Sequence, residues 1–227
     1  MKKGRLFMAV VVAIILVAEP LAAQEGSASG QAGSLEFGVK GGLSLASFFW
    51  TGDLGWNSST MFAFMPEAFA FARVGLSDGF GIQLDAGYHG NGCSVDASDG
   101  YAHWYMHYLE LPIWARWNTG DDDFNLYAGV GAYLAWFLGG SYDIATGYAD
   151  FDGSGSLTQG TIGQVDVVRA MDYGVLFVLG VETGRTIYEL RFPIGIVTAI
   201  EFTPPLDFGG TRGVLNSGFD IIVGYRF

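Results

Sequence analysis

The chain is poor in lysine, in cysteine and in long apolar runs. Setting aside Lys2, Lys3, Arg5 and Glu19 near its start leaves 8 basic against 22 acidic residues, so the formal charge goes from −12 to −14, and Lys40 is the only lysine left. Such a chain cannot bind nucleic acid by neutralising phosphates, and no nucleic-acid partner is expected. Cys93 is the only cysteine, which excludes an intramolecular disulfide even in an oxidising compartment. It falls in a polar stretch and reads as an incidental thiol in a loop. After the N-terminal segment no run of about 18 apolar residues occurs, so no membrane-spanning helix is expected.

What is present points elsewhere. The start, MKKGRLFMAVVVAIILVAEPLAAQ, has basic residues, then an apolar run from Leu6 to Val17, then Ala22-Ala23. That is the plan of a cleaved secretory signal peptide over residues 1–23. Residues 24–33 read as a short leader and 34–227 as one domain. Half of the residues are hydrophobic, 15% are aromatic and 35 are glycine. A hydrophobic, glycine-rich chain without an apolar helix suggests membrane strands, because only helices and closed barrels satisfy the backbone in lipid.

Eight segments with a two-residue repeat follow. In the first, Leu35, Phe37, Val39, Leu43 and Leu45 oppose Glu36, Lys40 and Ser44. In the second, Phe69 and Phe71 share a face with Glu67 and Arg73, which predicts either rings inside the barrel or a bulge. The remaining six centre on FGIQLDAGYH, YAHWYMHYLELPIWARW, FNLYAGVGAYLAWFL, MDYGVLFVLGVET, TIYELRFPIGI and GFDIIVGYRF. Short connections follow the second, fourth and sixth segments, and long ones the first, third, fifth and seventh. All long loops therefore lie at one end and both termini at the other, as in outer-membrane barrels. One face is apolar and aromatic while the other carries glycine and charge, the order expected with lipid outside. Aromatics near segment ends (Phe48 to Trp50, Tyr101 to Tyr108, Trp114, Trp117, Trp136, Phe137) read as interfacial girdles. The expected fold is all-β: an eight-stranded antiparallel transmembrane β-barrel, an up-and-down meander, in a bacterial outer membrane with periplasmic termini.

Several stretches carry a family resemblance in their order. FGVKGGLSLASF, YLELPIWARW, LYAGVGAYLAWFL, DYGVLFVLGVE, YELRFPIGI and the closing VGYRF resemble segments of the PorT-like outer-membrane β-barrel family. The resemblance implies a small eight-stranded barrel and no particular activity. The alternating Phe219, Ile221, Val223, Tyr225 and Phe227 resemble the C-terminal signal read by the barrel-assembly machinery, which makes that machinery a partner during biogenesis.

Parity turns Glu36, Lys40, Glu67, Arg73, Asp85, Glu110, Arg116, Glu182, Glu189, Arg191, Asp220 and Arg226 inward. An eight-stranded lumen is only wide enough for side chains, so these charges should pair and plug it, centred on Arg116 and Arg191 among Asp85, Glu110 and Glu189. His103 and His107 lie about 13 Å apart on a strand, too far to share an ion, and read as girdle residues, while His89 falls on the same face of its segment as Gln83 and Asp85. Asp150, Asp152 and Ser154 match the first ligand positions of a calcium loop, but Thr161 stands where a bidentate Glu is needed. A plain acidic loop is the better reading, so no metal and no cofactor are expected. Ser94 near His89 is the only candidate for a lipid-modifying nucleophile and base, and nothing in the sequence orients it. The expected role is non-enzymatic: structure or surface interaction through long acidic loops, with outer-membrane lipid and an extracellular ligand as partners. A narrow conduit for small or hydrophobic solutes is the alternative.

Overall fold

The computed structural model describes residues 32–51, 59–97, 100–120, 123–145, 153–157, 160–162, 166–206 and 211–227. The elements are β1 (Leu35–Thr51), β2 (Ser59–Met61), β3 (Ala63–Ser77), β4 (Phe80–Ala97), β5 (Gly100–Gly120), β6 (Phe124–Ala145), β7 (Gly153–Leu157), β8 (Gly160–Ile162), β9 (Asp166–Val168), β10 (Met171–Thr183), β11 (Thr186–Leu206) and β12 (Thr211–Arg226). Eight of these are long. Each long strand pairs antiparallel with its neighbours in the chain, and β1 also pairs with β12. The ring is closed, so no long strand leaves an unpaired edge.

Register sets the shape of the ring. Phe37 pairs with Ala72, Ala72 with Leu84, Leu84 with Ile113, Ile113 with Ala132, Ala132 with Val175, Val175 with Ile194, Ile194 with Ser217, and Ser217 with Ser47. One circuit thus returns to β1 ten residues from its start, at Ser47 instead of Phe37. Eight strands with that shear tilt by about 40° and enclose a cylinder of roughly 8 Å backbone radius. Such a cylinder holds side chains and little else.

Turns at residues 78–79 and 184–185 close one end, and Asp123 marks the third short link there. Four of the eight long strands, β4, β6, β11 and β12, run well past the two-residue repeats read from the sequence. β4 continues to Ala97, β6 to Ala145 and β11 to Leu206, while β2, β7 and β9 pair onto these extensions and β8 pairs with β9. Much of what was expected as loop is therefore sheet. The contrast between an apolar and a polar face fades there, whereas backbone pairing continues. Cys93, expected in a loop, lies buried within β4.

Candidate functional site in the barrel lumen

The outer wall is apolar by parity. Leu35, Leu43, Ile82, Leu84, Ile113, Val130, Leu179, Ile194, Ile221 and Val223 are all exposed. Trp117, Phe124, Tyr188 and Tyr225 stand exposed near the turn end, and Phe64 and Tyr173 farther up. Phe124 and Trp136 lie on the same face of β6, twelve residues and so roughly 30 Å apart along the axis. That spacing is close to the apolar band of about 25 Å expected in outer membranes. The terminal set follows the same face, with Ile221, Val223, Tyr225 and Phe227 exposed and Phe219 half-buried.

Not every aromatic belongs to that belt. Phe48, Trp104, Tyr108, Trp114 and Phe137, expected as girdle residues, turn inward and are buried. Phe69 and Phe71 are also inside, and their pairing with β1 shows no bulge. A shear-ten ring needs bulky side chains at its centre, and rings supply volume on two rotatable bonds.

Inside, the charges form tiers. At the turn end Arg73 donates to Glu36 and, at 2.7 Å, to Glu182. Arg116 reaches Glu182 at 2.8 Å and donates to Asn118, and its guanidinium lies 3.6 Å from the ring centre of Tyr127. Arg226 stands 3.4 Å from Glu36. In the middle tier Arg191 pairs with Glu189 and, at 2.6 Å, with Asp85. Lys40 Nζ sits 2.8 Å from Glu189 and 3.5 Å from Asp85. Tyr127, Trp114 and Gln83 complete the carboxylate contacts, the first on Glu189 and the others on Asp85. Here four buried carboxylates (Glu36, Asp85, Glu182, Glu189) meet four buried cations (Lys40, Arg73, Arg116, Arg191). Paired charges with further hydrogen bonds are what a dry lumen requires.

The outer tier is different. Glu67, Glu110, Asp172 and Asp220 are buried there, and among the described ion pairs only His89 serves them, 3.4 Å from Glu67 and 4.0 Å from Glu110. Asp172 accepts from Asn216 at 2.7 Å and Tyr133 at 3.2 Å. The crevice lined by His89, Asn91, Tyr108, Glu110, Asp172 and Asn216 leaves no room for a water-sized sphere. Above it Phe48, Cys93, Trp104, Met106, Phe137, Leu157, Val168 and Val214 form an apolar plug.

Of the expected centre, Arg191 does meet Asp85 and Glu189, whereas Arg116 meets Glu182, and Glu110 sits in the outer tier beside His89. His89 is a buried lumen residue on the same face of β4 as Gln83 and Asp85. Ser94 lies five residues along on the opposite face of β4, so the two are not brought together. His107 faces outward and shares a 2.6 Å hydrogen bond with Tyr88. Ser154 lies in β7, paired with Asp143, while Asp150 and Asp152 fall outside the described residues, as does the signal segment. Asp172 and Asn216 were not singled out from the sequence, although both share the inward face of their strands.

Residues 22–201 match the sequence model of the family described as Outer membrane protein beta-barrel domain. The chain belongs to that family. It is thus a β-barrel protein of the bacterial outer membrane. Among solved structures it is similar to OprG of Pseudomonas aeruginosa, with 15% identity over 87% of this chain and 97% of that one, at a TM-score of 0.50. It also matches Neisserial surface protein A, with 12% identity over 88% and 99% of the chains and a TM-score of 0.42. A third match is Ail of Yersinia pestis, solved with a heparin analogue, with 12% identity over 85% and 99% and a TM-score of 0.39. At these identities the likeness concerns the fold. The comparison with curated proteins found no match.

Proposed function

We propose that this outer-membrane barrel is a non-enzymatic structural or surface-interaction protein whose lumen is closed and whose outward strand extensions meet an extracellular ligand. The observation that carries this reading is the filled interior: two balanced ion-pair tiers, then the outer tier without room for a water, then an apolar plug. The three short links, the start of β1 and the C-terminal Phe227 share one end of the barrel, which the reading places in the periplasm after export and assembly. The other end carries the long extensions. Residues 138–170 hold Asp143, Asp150, Asp152 and Asp166 against Arg169 alone, so this surface favours cationic or hydrogen-bonding partners over polyanions. The order of the sequence motifs adds the narrower PorT-like kinship to the reading. Planar-bilayer recording tests it directly. A closed lumen gives no steps above the lipid background, whereas discrete conductance or solute-driven swelling of proteoliposomes would favour the conduit.

A further inference from the structure

The excess negative charge of the outer tier has a focus. Glu67 and His89 oppose each other in the β3–β4 register. Asp220 enters from β12, where it pairs with Ser44 of β1, next but one to Gly42, the partner of Glu67. One ligand atom from each of Glu67, His89 and Asp220 lies within 4.8 Å of the other two. All three residues are at least nine-tenths buried, with 4%, 3% and 2% of their surface exposed. Glu67 Oε2 and His89 Nδ1 are 3.4 Å apart, close to the edge of about 3.3 Å that a tetrahedron with bonds of about 2.0 Å would have. Each carboxylate keeps one buried oxygen without a hydrogen-bond partner, Glu67 Oε1 and Asp220 Oδ1. The first of these oxygens packs directly on Gly42, where a Cβ would lie 2.9 Å from Glu67 Oε1 and 2.2 Å from the Ile221 carbonyl oxygen, so only glycine lets the carboxylate sit there.

Three carboxylates, counting Glu110 at 4.0 Å from His89 Nδ1, therefore surround one imidazole. Even a protonated histidine leaves them in excess, and buried carboxylates must be neutralised by protons or by a cation. We propose that Glu67, His89 and Asp220 bind one divalent first-row transition-metal ion inside the lumen, with Glu110 as a fourth donor. The imidazole nitrogen selects this class over calcium and magnesium, which prefer all-oxygen sites. Because the donors come from β3, β4, β5 and β12, a bound ion ties the closing seam of the barrel to its opposite wall.

The test uses the folded, EDTA-stripped protein in detergent, titrated with Zn²⁺ by calorimetry and with Co²⁺ by visible absorption. One equivalent should bind, with a cobalt spectrum of mixed nitrogen and oxygen ligation. Glu67→Gln and Asp220→Asn should each weaken Zn²⁺ binding at least tenfold, while His103→Gln and His107→Gln, on the outward face, should change nothing. Folding of every variant is checked by its heat-dependent shift in SDS gels. Should His89→Gln fail to fold, the two carboxylate variants and the wild-type cobalt spectrum decide. Absence of a saturable equivalent overturns the proposal. So does loss of binding in the outward-histidine variants in place of the lumen ones, or binding of Ca²⁺ or Mg²⁺ as tight as that of Zn²⁺.

Discussion

Replacing Arg191 by methionine keeps most of the side-chain volume and removes the cation at the centre of the middle tier. Arg191 is 1% exposed, pairs with Glu189, and reaches Asp85 at 2.6 Å. Without it, two buried carboxylates share Lys40, whose Nζ is 2.8 Å from Glu189 and 3.5 Å from Asp85. Breaking a buried pair while leaving its partner charged costs about 3–5 kcal/mol. With a urea slope of about 2 kcal/mol/M, the unfolding midpoint in lipid vesicles should fall by about 1.5–2.5 M. Adding Glu189→Gln removes the surplus charge and leaves Lys40 to Asp85. The double variant should therefore be more stable than the sum of the two single losses, with a coupling of about 1–3 kcal/mol. Tryptophan fluorescence against urea, with the heat-dependent gel shift as an independent probe, measures all three variants. A loss below about 1 kcal/mol for Arg191→Met, or additivity in the double variant, would refute the idea that this pairing holds the lumen together.

Three other outcomes are expected. Phe227→Ala should reduce the assembled, heat-shiftable population in cells several-fold yet leave refolding in detergent unchanged, because Phe227 is exposed and meets only Tyr225, edge-on at 6.2 Å, among the described ring contacts. A Cβ on Gly129 would sit 2.3 Å from the Trp114 ring. Gly129→Val should thus lower the urea midpoint by the equivalent of about 1–3 kcal/mol, whereas Gly153→Val, with nothing within 4 Å, should not. Cys93 lies thirteen residues above the β3–β4 turn, in the extension beyond the membrane band, and burial pushes its thiol up to about 12. Maleimide at pH 8 should leave it unmodified in the folded barrel and label it fully after denaturation. The folded state holds that proton more tightly than the unfolded one, so the contribution of Cys93 to stability is complete below about pH 8.5 and declines as pH rises toward 12.

Parity is a local property of an extended chain. It told from residue order which side chains face the lumen, from Glu36 and Lys40 to Asp220, and which face lipid, from Leu35 to Phe227. The number of strands and the end that carries the short turns were legible for the same reason. Strand ends were not, because the extensions of β4, β6 and β11 are held by backbone pairing and lack a sharp contrast of faces. Phe48, Trp104 and Trp114 were misplaced by their nearness to segment ends, although the inward parity of Trp114 was readable. Who meets whom across the lumen was decided only by closure. The ten-residue shear sets the height at which each strand delivers its charges, bringing Arg191 to Asp85, 106 positions apart in the chain. The same shear separates a balanced pair of tiers from an outer tier that holds four buried carboxylates, three of them around His89. No spacing along the sequence encodes that height, because it depends on all eight registers at once.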